Sequence, residues 1–286
     1  MYLSVCLSVC LSACCPAEGA ADVSAVRMLR ALYSSGTVSV VEQTERAVVP
    51  LRFLLVLSIL MAEDILLYWG SGSPPCWRVM IALEEKNLHG YKSKPLSFKQ
   101  QEHKGPEVLA LNPRGQIPTF KHGDIVVNES IAACMYLESR FKSQGSQLMP
   151  DSVTEQALVL QRMFECITMQ KKMYDVVFYE WFVPEGERHE SALKRNKENL
   201  TTELKLWESY MQKLDKGSYL AGKSFSMADV VCFPYIALLV WFGLNTERYP
   251  RLGEYYELVK ERPSVKASWP PHRLENPQNQ DTIKGL

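Results

Sequence analysis

Apolar positions fall into short extended runs in the first half of the chain and into helical stripes in the second. The run Ile65-Leu66-Leu67-Tyr68-Trp69 is apolar and aromatic throughout and is closed by Gly70-Ser71-Gly72-Ser73-Pro74-Pro75, the pattern of a buried strand ending in a tight loop. Pro75 suits the first turn of a helix, and Val79, Ala82 and Leu83 continue one face of it toward Lys86. Tyr91 to Phe98 reads as a second strand, which Pro95, lacking a ladder N–H, places at a sheet edge. Thr119 to His122 and Ile125 to Val127 read as two strands joined by the turn Gly123-Asp124, and Glu129 and Ser130 open an apolar helix, Ile131 to Phe141. The order strand, helix, strand, hairpin, helix predicts a thioredoxin-like α/β domain with a four-stranded mixed sheet.

Beyond residue 150 the period changes. Glu155 to Met173 is amphipathic at helical spacing. Leu200, Leu204, Trp207, Met211 and Leu214 then recur at alternating intervals of four and three, one apolar stripe on a long helix. Ser226-Met227-Ala228-Asp229 supplies a serine at N-cap and an acid at N3 before the apolar helix Val230 to Leu244, so Ser226 and Asp229 read as folding residues.

The 286 residues are 47% hydrophobic and 22% charged, ordinary for a globular chain with length for two domains. The 32 basic residues are matched by 32 acidic ones, which leaves no electrostatic footprint for nucleic acid. Cys76, Cys134, Cys166 and Cys232 show neither C-x-x-C nor metal-ligand spacing, so the chain from residue 61 onward reads as a reduced, cytoplasmic protein without a metal site. Cys6, Cys10, Cys14 and Cys15 belong to residues 1–60. There, Leu3 to Ala13 lacks the basic residue that precedes a signal h-region, and Leu51 to Leu60 is too short to span a bilayer.

The segment that carries chemistry is Asn112-Pro113-Arg114-Gly115-Gln116-Ile117-Pro118, followed by Asn128-Glu129-Ser130. A cis Ile117-Pro118 bond turns the backbone of Ile117 outward as an edge with which a small peptide can pair. The helix start at Glu129 and Ser130 offers unpaired backbone N–H groups and a hydroxyl to a carboxylate, while Glu129 can pair with an amino group on the same ligand carbon. Together they match an α-amino acid head group.

These blocks, with Tyr68-Trp69-Gly70-Ser71-Gly72-Ser73-Pro74-Pro75-Cys76-Trp77-Arg78, resemble cytosolic glutathione transferases, most closely the rho class of fishes, over Met61 to Leu286. The resemblance implies a thioredoxin-like glutathione-binding domain at 61–145, then an all-α helical domain at 152–286 with a hydrophobic-substrate pocket. It also implies glutathione as co-substrate, a small hydrophobic electrophile as partner, a homodimer, and no nucleic acid or membrane partner. Against the family, residues 1–60 are extra and Met61-Ala62-Glu63 resembles an ordinary start, so 1–60 is expected to be a disordered extension or a gene-model artefact.

The expected reaction adds the glutathione thiolate to an electrophile, with peroxide reduction as a side activity. A free thiol has a pKa of about 8.5, and a hydroxyl hydrogen bond with nearby helix N–H groups lowers it by ~2 units. Two donors compete. Ser73, at the start of the first helix, resembles the serine of theta-like enzymes; Tyr68 resembles the tyrosine of mu-like ones. Helix-start placement favours Ser73, and Ser71 is a third candidate. Gln116, Ile117, Pro118, Glu129 and Ser130 are expected on the γ-glutamyl and cysteinyl parts of glutathione, and His103 and Lys104 on its glycine carboxylate. Arg114 pairs equally well with a surface acid, and Arg78 is expected to hold the domain interface. Met169, Tyr174, Phe178 and Trp181 form a candidate apolar pocket. Trp269-Pro270-Pro271 resembles a tail that folds back, without an assigned role. Two alternatives remain: a non-catalytic glutathione-binding module, and a thiol transferase using Cys76, although that cysteine, following Pro-Pro, reads as buried and structural.

Overall fold

The fold starts from strand β1 (Ile65–Trp69), whose residues Ile65 and Leu67 are fully buried. In the computed structural model, which describes residues 62–275 and 281–286, β1 is central in a sheet of order β2-β1-β3-β4. It pairs in parallel with β2 (Lys92–Pro95) and antiparallel with β3 (Thr119–His122), which forms a hairpin with β4 (Ile125–Val127). The expectation for residues 1–60 lies outside the described residues.

Strand β2 is shorter than the pattern of Tyr91 to Phe98 predicts. It is an exposed edge strand that ends at Pro95, although Leu96 N–H still donates to Trp69 O at 2.7 Å. Beyond it Ser97 N–H turns to the Glu102 carboxylate at 2.6 Å, which takes the backbone out of the ladder. Helix α1 (Pro74–Glu85) is capped by Ser73 with two prolines in its first turn, where a missing N–H costs nothing. A short helix α2 (Pro106–Leu109) precedes the loop to β3, and α3 (Ser130–Arg140) follows β4 with Glu129 at its N-cap.

Among the described residues of the unit Asp64–Leu286, seven further α-helices follow: α4 (Val153–Val177), α5 (Tyr179–Phe182), α6 (Glu190–Gln212), α7 (Met227–Trp241), α8 (Pro250–Lys260), α9 (Pro263–Ala267) and α10 (Pro271–Glu275). In α6 the stripe Leu200, Leu204, Trp207 and Met211 is buried, but Leu214 falls beyond the helix end. There Arg251 donates to the carbonyls of Met211, Leu214 and Asp215, which satisfies the terminal acceptors and stops the helix. Helix α7 starts at Met227 rather than Val230 because the capping box sets the boundary: Ser226 N–H donates to Asp229 Oδ2 at 2.8 Å. Asp229 Oδ1 also accepts from Leu220 N–H and Tyr255 O–H, both at 3.0 Å. Apolar on every side, α7 is buried along its length, packed against α4 and α1.

Charged groups hold α1 to the helices. Arg262 embraces Glu85 through two nitrogens at 2.5 and 2.7 Å, and Ser264 Oγ donates to the same carboxylate. Burial alone raises the Glu85 carboxyl, but hydrogen bonds from Arg262, Ser146 and Ser264 with the Arg262 charge outweigh it and hold it below its ordinary value. The buried Arg78 donates to Val231 O at 2.7 Å and Ser130 Oγ at 3.2 Å, with its guanidinium 4.6 Å from the centre of the Tyr235 ring. Trp77 Nε1 donates to Ser268 Oγ at 3.0 Å.

Candidate functional site

A cleft of about 970 Å³ runs between the sheet half and the helices. Its first wall is polar and brings together Ser73, His103, Lys104, Gln116, Ile117, Pro118, Glu129 and Ser130. The Ile117–Pro118 bond is cis. Asn112 Nδ2 and the Thr119 hydroxyl both donate to Gln116 O, at 2.8 and 2.9 Å, so the backbone entering this segment is fixed from below. Ser130 Oγ accepts from Arg78 and therefore keeps its own O–H free to donate, beside a buried cation at the start of α3. Lys104 Nζ donates to Arg114 O at 3.1 Å and is exposed. Next to it His103 tilts against Phe98, and its Nδ1 is buried without a partner among the described residues. Burial first, then the Lys104 charge, lower the His103 pKa.

The three hydroxyl candidates separate in space. Ser73 Oγ accepts from Cys76 N–H across a long 3.4 Å, half-buried at the α1 start, which leaves its O–H free to donate into the cleft. Ser71 also lines the cleft, but its Oγ contacts His272 Nδ1 at 2.8 Å. Tyr68, the other expected donor, lies apart from the two serines. Its ring packs with Cys76, Leu96, Val108 and Ile117, outside the cleft lining, and its hydroxyl donates to Glu107 Oε1 at 2.5 Å. Burial, then that hydrogen bond and the Glu107 charge, push its pKa up to about 12. The Cys76 side chain has no exposure, and burial pushes its thiol up to about 11 despite the Ser73 contact. A thiol so held is a poor nucleophile.

The second wall is apolar and built mainly by α4, α5 and α7. Tyr174, Phe178 and Trp181 line it as expected, and Met169 does not. Met163, Cys166, Met169, Met173 and Val176 form the buried stripe of α4, whereas Ile167, Gln170, Tyr174 and Phe178 form the adjacent stripe that faces the cleft. Phe178 stands edge-on to Tyr174 at 5.0 Å and to Phe242 at 5.7 Å. Trp181 and Phe182 remain 76% and 62% exposed, so the wall ends in an open aromatic lip. Phe182, Trp241, His272 and Arg273 are among the lining residues absent from the sequence expectation. Phe182 follows Phe178 by one helical turn, a signal that was available; His272 and Arg273 directly follow the Trp269-Pro270-Pro271 tail.

A thioredoxin-type sheet half with a cis-proline peptide edge and a helix-start hydroxyl, facing an aromatic wall from an all-α half, defines a thiol-tripeptide transferase architecture. The family model "Glutathione S-transferase, N-terminal domain" matches residues 72–140, and "Glutathione S-transferase, C-terminal domain" matches 169–268. "Glutathione S-transferase A" of Pleuronectes platessa is 66% identical over 226 residues, covering 79% of this chain and all of that protein. "Glutathione S-transferase 3" of Zea mays is 33% identical, over 71% of this chain and 86% of its own. Among solved structures, a glutathione S-transferase from the Antarctic clam Laternula elliptica superposes with a TM-score of 0.70 at 40% identity, covering 78% of this chain and 99% of that one. The chain therefore belongs to the glutathione S-transferase family and is a glutathione transferase.

Proposed function

We propose that this protein conjugates glutathione to small hydrophobic electrophiles in cytoplasmic detoxification, with Ser73 as the hydroxyl that stabilises the thiolate. The carrying observation is the O–H of Ser73: it is free to donate at the start of α1, on the same cleft wall as the expected glutathione contacts. In this reading the γ-glutamyl head sits on Ser130 and Glu129 at the start of α3, beside Gln116. The cysteinyl backbone pairs with Ile117 next to Pro118, and the glycine carboxylate meets His103 and Lys104. The domain at 61–145 supplies these groups, and the domain at 152–286 supplies the electrophile wall at Tyr174 and Phe178. Lowering the thiol pKa by ~2 units is worth about 2.7 kcal/mol, within reach of one charge-assisted hydrogen bond and helix N–H groups. The same thiolate attacks a peroxide O–O bond, which gives peroxidase activity as a side reaction.

We also infer a homodimer, a reading supported by the family and by exposed apolar side chains such as Phe164 on α4 and Ile125 on β4, 63% and 49% exposed. The test is retention on immobilised glutathione together with conjugation of chlorodinitrobenzene by the wild type and by the Ser73→Ala, Tyr68→Phe and Cys76→Ala variants. Loss with Ser73→Ala alone supports the proposal. Loss with Cys76→Ala alone replaces it with thiol transfer, and retention without conjugation replaces it with a binding module.

A further inference from the structure

The tail that the sequence leaves without a role reaches the cleft. Trp269 stacks edge-on against Trp77 at 5.0 Å, and α10 then carries His272 onto the Ser71–Ser73 loop. The approach is close enough to need a glycine: a Cβ on Gly72 would lie 2.5 Å from His272 Cε1, and Gly72 already has φ +82. Further along, Ile283 is buried and its N–H donates to Phe242 O at 3.0 Å, so the chain beyond α10 returns to the cleft wall.

Arg273 is the outcome of this placement. Arg273 lines the cleft beside Trp241, and also a second cavity of about 860 Å³ that includes Glu257, Glu261 and Asp281, and it is only 5% exposed. A guanidinium has five N–H donors and a fixed charge, and buried charges ordinarily find a carboxylate or a set of carbonyls. None of the described residues accepts a hydrogen bond from the Arg273 side chain or forms an ion pair with it, and its buried Nε has no partner among them. The flanking Trp77 and Trp241 rings, centred 5.7 and 5.4 Å from its Cζ, offer π-faces but no acceptor atoms. Arg78, by contrast, is equally buried and donates to Val231, Ser130 and Cys166. Burial lowers the Arg273 pKa to about 10, which leaves it charged at neutral pH.

We propose that Arg273 is an anion subsite on the electrophile side of the cleft, so that the preferred second substrates are aromatic or alkenyl electrophiles carrying a fixed carboxylate. The inference rests on the transferase reading above and deepens it. The ring of such a compound lies along Trp241 and the aromatic lip, and its carboxylate takes the Arg273 donors. In the conjugation step the thiolate sulfur bonds to the ring carbon that bears chlorine. The C–Cl bond breaks, chloride leaves with the electron pair, and the thiol proton passes to solvent. The carboxylate takes no part in bond making.

The experiment compares kcat/KM for a chlorodinitrobenzoate and its methyl ester, in the wild type, Arg273→Met and Arg273→Lys. A desolvated charge-assisted pair predicts that the wild type favours the carboxylate by about tenfold or more. The ratio is expected to collapse in Arg273→Met and to return in part in Arg273→Lys. Because Arg273 packs between two tryptophans, a wild-type measurement stands beside the variants. With glutathione saturating, so that its own carboxylate sites are filled, naphthalene carboxylate is expected to bind about tenfold more tightly than naphthalene carboxamide. Turnover of both substrates at a ratio near one, or an unchanged ratio in Arg273→Met, overturns the subsite while the transferase reading stands. Turnover of neither overturns the transferase reading, and the naphthalene pair then decides the subsite by binding alone: equal affinities overturn it.

Discussion

Replacing Ser73 by alanine separates two jobs that one oxygen performs. As N-cap, Ser73 Oγ accepts from Cys76 N–H at 3.4 Å, near the limit of a hydrogen bond, so losing the cap costs about 1 kcal/mol or less. As thiolate donor, its O–H makes a hydrogen bond to a charged sulfur, worth about 1.5–3 kcal/mol, or roughly a 10- to 150-fold loss in kcat/KM. The larger loss therefore falls on chemistry, with a small shift in melting temperature. The thiol pKa of bound glutathione is expected to rise by about 1–2 units, read from thiolate absorbance and from the rising limb of the pH–kcat/KM profile. If Ser73→Ala stayed within about threefold of wild type while Ser71→Ala lost activity and raised that pKa, the donor would be Ser71 and the assignment to the α1 start would be wrong.

Three further outcomes are expected. Tyr68→Phe removes a hydroxyl committed to Glu107, so conjugation is expected to change by less than about twofold; a loss matching Ser73→Ala would return Tyr68 to the thiol. Gly72→Ala combines strain at φ +82 with a Cβ against His272, and is expected to raise KM for the electrophile more than KM for glutathione as the tail lifts; equal changes in both would place the disturbance in the loop alone. Glu85→Gln disrupts a buried pair and is expected to cost roughly 3–5 kcal/mol near neutral pH, read from urea midpoints. The folded-state pKa of Glu85 lies below its unfolded value. Its contribution is therefore present above the unfolded pKa of about 4.5 and is lost as pH falls through the folded value, so the gap between variant and wild type must narrow in acid.

The parts of the site legible in the sequence are those fixed within a few residues. Ser73 before two prolines, Ile117 before Pro118, and Glu129-Ser130 before an apolar run each announce local backbone geometry, and each of these positions lines the cleft. The sheet was legible for the same reason, since Pro95 and the Gly123-Asp124 turn fix an edge and a hairpin without tertiary information. What was not legible depends on which face of an element meets its neighbour. Tyr68 and Ser73 are five residues apart and both carry hydroxyls, but the tyrosine ring packs among Cys76, Leu96, Val108 and Ile117 and its hydroxyl meets Glu107, nearly forty residues later. Met169 and Tyr174 share one long helix on adjacent stripes, and the packing of α7 decides which stripe is core.

Arg273 is the extreme case. In sequence it is one basic residue among 32, in a short polar helix after two prolines, where a solvated surface side chain is the ordinary outcome. Its burial follows from contacts made with elements far away in the chain: Trp269 against Trp77, and His272 against Ser71 and Gly72. The His272 contacts use the loop that presents Ser73, so the segment that carries the proposed thiolate donor also seats the tail. A cation delivered this way is tied to the geometry of the reacting sulfur. Its effect on second-substrate choice and the integrity of the Ser71–Ser73 loop should therefore change together under mutation.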